Sequence, residues 1–163
     1  MAQPAAASAY EIVLAIHVMA VVIAFGVTFA YPIMFAVAAR RDPRSLPVLH
    51  RIEYTTERFL INPALVAVVA AGVYLASDGH HWSEFFVQWG LAAVIVIGAL
   101  VGSVMIPTAK RAEALAERDL AQAGATSTEM SDEYRALVRR SSIVGSLLSA
   151  LVLVTILFMV VQP

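Results

Sequence analysis

The chain of 163 residues contains no cysteine, so disulfides, thiolate metal sites and cysteine nucleophiles are excluded at once. Charge is scarce as well: Asp, Glu, Lys and Arg make up 14% of residues, against roughly 25% in soluble chains. Basic residues are missing altogether from the N-terminal tail, from the Asp78 to Gln88 connection and from the C-terminal Val161-Gln162-Pro163. No Asp, Glu, Lys or Arg stands within the apolar interior of any long hydrophobic stretch. That argues against proton pumps, ion exchangers and charged-substrate carriers, which place such groups at mid-membrane. The opening residues, Met1 to Tyr10, lack the basic n-region of a cleaved signal peptide, so the first apolar stretch reads as a retained helix. There is no internal repeat, no low-complexity tract and no separate soluble domain.

What the chain does have is apolar surface: 60% of its residues are hydrophobic and its mean hydropathy is +0.79. Its eleven Lys and Arg residues gather in two polar segments. Arg40, Arg41, Arg44, Arg51 and Arg58 lie between the first and second apolar stretches. Lys110, Arg111, Arg118, Arg135, Arg139 and Arg140 lie between the third and fourth. Cationic loops resist translocation, so both segments face the cytoplasm. The expectation is an all-α protein: an antiparallel four-helix bundle in a bacterial cytoplasmic (inner) membrane, with both termini outside. Spans are expected over 10–39, 60–76, 89–107 and 141–161, with cytoplasmic helical extensions over 47–59, 108–123 and 129–140. The lipid bilayer is its first partner. Basic residues interleaved with acids argue against a polyanionic partner, nucleic acid included.

Local signals support these limits. Ser8 and Glu11 form an S-x-x-E capping box, and Ser83 is placed to cap the third helix. Pro32 and Pro107 are expected to bend their helices, Asn62-Pro63 marks the entry of span two, and Gly124 ends the third helix. The polar Thr126 to Glu129 stretch leads into the fourth. Trp82, Phe85, Phe86 and Trp89 suit the outer interface. Gly98 and Gly102 form a G-x-x-x-G, and Ser141, Gly145 and Ser149 repeat small residues at the same spacing, which serves internal packing or a homodimer equally.

Few polar side chains can carry chemistry. His17 is the one ionisable residue inside a span. A buried imidazole requires a partner: either an axial haem b, for which it is the candidate cofactor ligand, or a hydroxyl on a neighbouring helix. His80 and His81, near Asp78 and Glu84, can bind Cu or Zn or simply stay solvated. His50, beside Arg51 and Glu53, reads as a surface residue. Glu53 and Glu57 share a helix face; such a carboxylate pair can hold a divalent ion, but the expectation is that they pair with Arg139 or Arg140 across the bundle.

Three stretches taken together carry a resemblance: His17, Gly26 and Pro32; then Asn62-Pro63-Ala64 with Gly72-Val73-Tyr74-Leu75; then Trp89-Gly90-Leu91-Ala92 with Gly98. The arrangement resembles HemJ-like membrane-bound protoporphyrinogen oxidases and CopD-like copper-resistance proteins. It is more closely similar to a family of predicted integral membrane proteins with the same four-span layout. The resemblance implies haem or porphyrin binding through His17. Protoporphyrinogen oxidases of this kind also use a Lys early in the third helix and a basic residue after the first-helix Pro. Here those positions fall near Gly90 and at Ile33, which undercuts that activity. The resulting reading is a b-type haem-binding membrane protein, with a non-enzymatic assembly or regulatory subunit and a copper or neutral-solute transporter as its competitors.

Overall fold

The computed structural model describes residues 8–124 and 127–162. The tail before Ser8, Thr126 and Pro163 lie outside the described residues. The first long helix opens with α1 (Ala9–Phe25). Its capping box closes as expected, with the Glu11 N–H donating to Ser8 Oγ at 3.2 Å and the Ser8 N–H to Glu11 Oε2 at 2.8 Å. A 3-10 turn, Val27–Phe29, separates α1 from α2 (Tyr31–Arg41). The second long helix comprises the turn Pro43–Ser45, α3 (Leu46–Thr56), a π-helical turn over Glu57–Ile61 and α4 (Asn62–Asp78). The third comprises α5 (Phe85–Leu100), a second π-helical turn over Val101–Met105 and α6 (Ile106–Ala123), which Gly124 stops at a φ of +67°. The fourth is the uninterrupted α7 (Asp132–Val161), capped by Ser131.

Among the described residues these four segments, Ala9–Arg41, Pro43–Asp78, Phe85–Ala123 and Asp132–Val161, are long and apolar enough to cross a membrane. They hold 33, 36, 39 and 30 residues. At about 1.5 Å per residue each reaches roughly 45–60 Å, well beyond a hydrocarbon core of about 30 Å. No strand occurs among the described residues. Large apolar side chains cover the outer surface, as at Val66 (69% exposed), Leu147 (66%) and Val160 (77%). In water such a continuous surface would drive aggregation. In lipid it is the solvated face, and backbone groups are satisfied within the helices.

Each interruption stands directly ahead of a proline. Pro32, Pro63 and Pro107 occupy the first turn of α2, α4 and α6. A proline ring donates no N–H and pushes against the carbonyl four residues back, so the preceding turn must change its winding. The Thr28 hydroxyl donates to the Phe25 carbonyl at 2.6 Å at the first break.

The helices pack as α1 on α4 and α2 on α3, then α5 on α7 and α3 on α6. Two apolar clusters result. One gathers Leu46, Ala112, Leu115, Ala116, Met130 and Tyr134 at the charged end. The other gathers Ile97, Val101, Leu148 and Val152 between α5 and α7. Of the small residues, Gly98 lies against Leu65 and Gly145 against Met105, while Gly102 has open space around it.

Helix α5 begins at Phe85, past the Ser83 cap read from the sequence, with Glu84 at the cap and no side-chain bond there. Its start is set by aromatic packing, Phe85 and Trp89 lying 5.6 and 5.1 Å from the Phe158 ring of α7. Trp89 Nε1 also donates to Thr155 Oγ1 at 3.1 Å. At the charged end, Asp119 joins α6 to α7. Its Oδ2 accepts the Ser131 N–H at 2.9 Å, and its Oδ1 accepts Arg118 Nη2 at 2.9 Å.

Candidate functional site

The three helix breaks come together around one cavity of about 150 Å³ that all four long helices line. It lies between the two apolar clusters, with Phe35, Ala112 and Val138 from the charged-end side and Phe25, Ile97 and Leu148 from the other. Thr28 and Pro32 enter it from the first break, Glu57 and Ile61 from the second, and Val101 and Met105 from the third. Helix α7 contributes hydroxyls along one wall, among them Ser141, Ser142 and Ser149. π-Turns are uncommon and cluster at functional sites. Here they open the helix wall at the cavity.

The imidazole and the two carboxyls in this cavity follow one stripe that runs from α3 into the π-turn. His50, Glu53 and Glu57 are 4%, 7% and 4% exposed and follow each other at helical spacing. His50 Nδ1 lies 3.1 Å from Glu53 Oε2, and His50 Nε2 lies 2.9 Å from the Tyr134 hydroxyl. The carboxylate can only accept, so Nδ1 carries a proton and donates to it. In the neutral ring the tyrosine then donates to Nε2. His50 is therefore a buried core residue and not the surface residue read from its sequence neighbours. Its ring stacks 4.6 Å from Phe35 and is enclosed by α2 and α7.

Nor do the two glutamates meet Arg139 or Arg140. Both arginines are exposed, whereas Glu53 is engaged by His50 and Glu57 by no cation. The other acids of the charged end take up the nearby arginines. Arg51 reaches Glu113 at 2.6 Å and Glu117 at 2.8 Å, and Arg111 reaches Glu133 at 2.8 Å. Arg58, next in sequence to Glu57, turns outward over the Phe59 ring and donates to the Tyr54 hydroxyl. Glu57 Oε2 is thus buried with no hydrogen-bond partner, and so is the Tyr31 hydroxyl nearby. The two acids lie outside the apolar stretches of the sequence, and the packing of the helices buries them all the same. A buried carboxylate without a partner costs several kcal/mol in its ionised form, so it takes up either a proton or a cation.

His17 sits elsewhere, on the α1–α4 seam, and does not line the cavity. Its Nδ1 is 3.0 Å from the Val68 carbonyl. A carbonyl only accepts, so Nδ1 holds the proton and Nε2 keeps its lone pair. Gly72 makes room for the ring, since a Cβ there would lie 3.3 Å from His17 Cε1. The partner of this half-buried imidazole is a backbone carbonyl rather than a hydroxyl. His80 is exposed, with Nδ1 3.1 Å from the Asp78 carbonyl, while the His81 ring lies against Phe86. Among the described residues no group of three or more His, Asp or Glu converges as a metal cage.

The family model for a predicted integral membrane protein (DUF2269) matches residues 11–163. The chain belongs to this family. Neither a curated protein nor a solved structure matches it. The match covers every element that lines the cavity, from α1 to α7. The likeness to HemJ-like and CopD-like proteins stays at the level of the sequence motifs quoted for it.

Proposed function

We propose that this integral membrane protein binds a small organic cation in the cavity and carries it across a cytoplasmic membrane. Glu57 is the counter-charge. The observation that supports this reading is the unpartnered, buried Glu57 carboxylate oxygen facing an otherwise largely apolar chamber. Phe25, Tyr31 and Phe35 add ring faces that attract a cation, and Met105 adds a polarisable thioether. A cavity of 150 Å³ matches the volume that elsewhere holds a molecule the size of benzene. An ammonium group is suited to the two orphaned oxygens, because it can donate to Glu57 Oε2 and to the Tyr31 hydroxyl oxygen together. Among the described residues no three His, Asp or Glu side chains converge here as a metal cage. Helices broken at the level of a polar site are a recurrent feature of carriers, where they shape the site and let its walls move.

The test is calorimetric titration of the detergent-purified protein with butylammonium chloride, and with 1-butanol as its neutral isostere. Butylammonium is expected to bind and butanol to bind far more weakly. Glu57→Gln is expected to reduce butylammonium affinity by at least about tenfold, a step of ~1.4 kcal/mol. Equal affinity for the two ligands would remove the counter-charge role.

A second reading has one observation in its favour. With Nδ1 anchored on Val68, His17 presents Nε2 as a free lone pair, the arrangement that second-shell bonds impose on metal-bound histidines. The cavity is small for a haem, and His17 is not in it, so a haem would lie on the α1–α4 surface with its other axial position outside the bundle. Purified protein from haem-supplied cells that shows no Soret band ends this reading.

A further inference from the structure

We infer that cation binding in this cavity is coupled to proton release from Glu57, so that the protein exchanges one proton for one monovalent organic cation. The inference rests on the cation-binding reading above and adds to it the energy source and the stoichiometry.

The argument begins with what surrounds Glu57. From its own long helix it faces His50 and Glu53. His50 is occupied at both ring nitrogens, and Glu53 is a second carboxylate one helical turn away. From α2 it faces Tyr31, whose hydroxyl has no partner. From α6 the lining residues are Thr108, Ala109 and Ala112, none of them ionisable. From α7 they include Val138, Ser141 and Gly145, again without charge, and Tyr134 is engaged by His50. From α1 and α5 the contributions are Phe25 and Ile97. Among the described residues no cation from any packed element reaches the carboxylate.

In the empty cavity an ionised Glu57 would therefore be both desolvated and close to a second carboxylate. Each circumstance favours the protonated acid. An entering ammonium reverses the balance, because it supplies the missing positive charge at contact distance. The exchange is Glu57–COOH plus R–NH₃⁺ giving Glu57–COO⁻ held against R–NH₃⁺, plus H⁺. The O–H bond of the acid breaks, its electron pair stays on the carboxylate, and the proton leaves for solvent. One positive charge enters and one leaves. A pH difference across the membrane would then drive the cation toward the more acidic side without net charge movement. The π-turn at Glu57–Ile61 places the switching carboxyl at the first residue of the helix break, where changes in its charge bear on the local winding.

The experiment counts protons. Butylammonium chloride is titrated into detergent-purified full-length protein at pH 6 to 7, in phosphate and in the zwitterionic buffer ACES, whose ionisation heats differ widely. The buffer dependence of the binding heat is expected to give close to one proton released per ligand bound. Affinity is expected to rise by about tenfold per pH unit over this range, and to level off once Glu57 is ionised in the empty protein. Binding with no proton release and no pH dependence would overturn the coupling and leave the cation site standing. Failure of butylammonium to bind at all would overturn the cation site itself. The count in the unaltered protein needs no variant, so a misfolded Glu57→Gln cannot obscure it. Where that variant does fold, butylammonium that still releases a full proton on binding it would assign the proton to another group and refute the role of Glu57.

Discussion

Two carboxylates a single helical turn apart should respond to the same mutation with opposite signs. Glu57→Leu removes a buried carboxyl whose Oε2 has no hydrogen-bond partner. Leaving such a group unsatisfied costs about 1–3 kcal/mol, and an apolar side chain of similar volume recovers that penalty. The leucine would lie against Ile61, Val101 and Phe25, which line the same chamber. The variant is therefore expected to be more stable than the parent by about 1–3 kcal/mol. Glu53→Leu does the reverse. It strips the acceptor from His50 Nδ1 at 3.1 Å and leaves a 4% exposed imidazole with an orphaned donor. Tyr134 then cannot satisfy the ring alone, because its hydroxyl already serves Nε2. That variant is expected to lose about 1–3 kcal/mol.

The measurement is thermal unfolding of the purified proteins in one detergent, followed by the fluorescence of Trp82 and Trp89. Stability gained by removing a polar side chain is the signature of a residue retained for function at a cost to the fold. A destabilised Glu57→Leu would mean that the carboxyl supports the structure, and the argument from its missing partner would fail. Equal shifts for the two variants would refute it as well, since the structure distinguishes them only by their partners.

Other residues test other parts of the architecture. Gly72→Val brings methyl groups into the space of His17, where a Cβ alone would already lie 3.3 Å from the ring. The ring must leave Val68, at a cost of about 1–3 kcal/mol, seen as a lower unfolding temperature and as a shifted His17 ring signal in NMR. Asp119 stands on the charged stretch of α6, beyond the apolar part of its helix. Burial alone would raise its pKa, but the bonds from Ser131 and Arg118 outweigh it and hold the carboxyl below the ordinary aspartate range. A depressed pKa contributes stability above the unfolded-state value and loses it as pH falls through the folded one. Asp119→Asn is therefore expected to be less stable than the parent at neutral pH, with the difference vanishing in acid. A difference that stays constant with pH would contradict the assignment. Ser8→Ala opens the capping box at the start of α1 and is expected to cost about 1 kcal/mol locally. Faster amide exchange confined to the first turn would register it.

The four long apolar helices were legible because the bilayer imposes a strong one-dimensional signal, long apolar runs separated by arginine-rich connections. Capping by Ser8 and Glu11 and the stop at Gly124 are local backbone chemistry, so they too could be read without tertiary contacts. The site could not be read in this way. Its prolines are plain in the sequence, but whether Pro32, Pro63 and Pro107 lie at one level depends on how three helices slide past each other. The interior acids were lost for a different reason. Arg51, Arg58 and the charged composition around them gave 47–59 the look of a solvated face, and His50, Glu53 and Glu57 were assigned to it.

A signal against that assignment was nevertheless present. Leu46, His50, Glu53, Glu57, Ile61 and Ala64 recur every three or four residues and are all buried, whereas Arg51 and Arg58 fall on the other side of the helix. An ionisable residue in register with leucine, isoleucine and alanine belongs to the packed stripe, whatever charges stand next to it in the chain. Helix packing then requires that residue to find a partner. His50 and Glu53 found each other and Tyr134 through the i, i+3 spacing, which the sequence alone can suggest. Glu57, one turn further along the stripe, had every nearby arginine directed elsewhere. A carboxyl kept in such a position through the cost of its burial is better explained by a visiting cation than by the architecture around it.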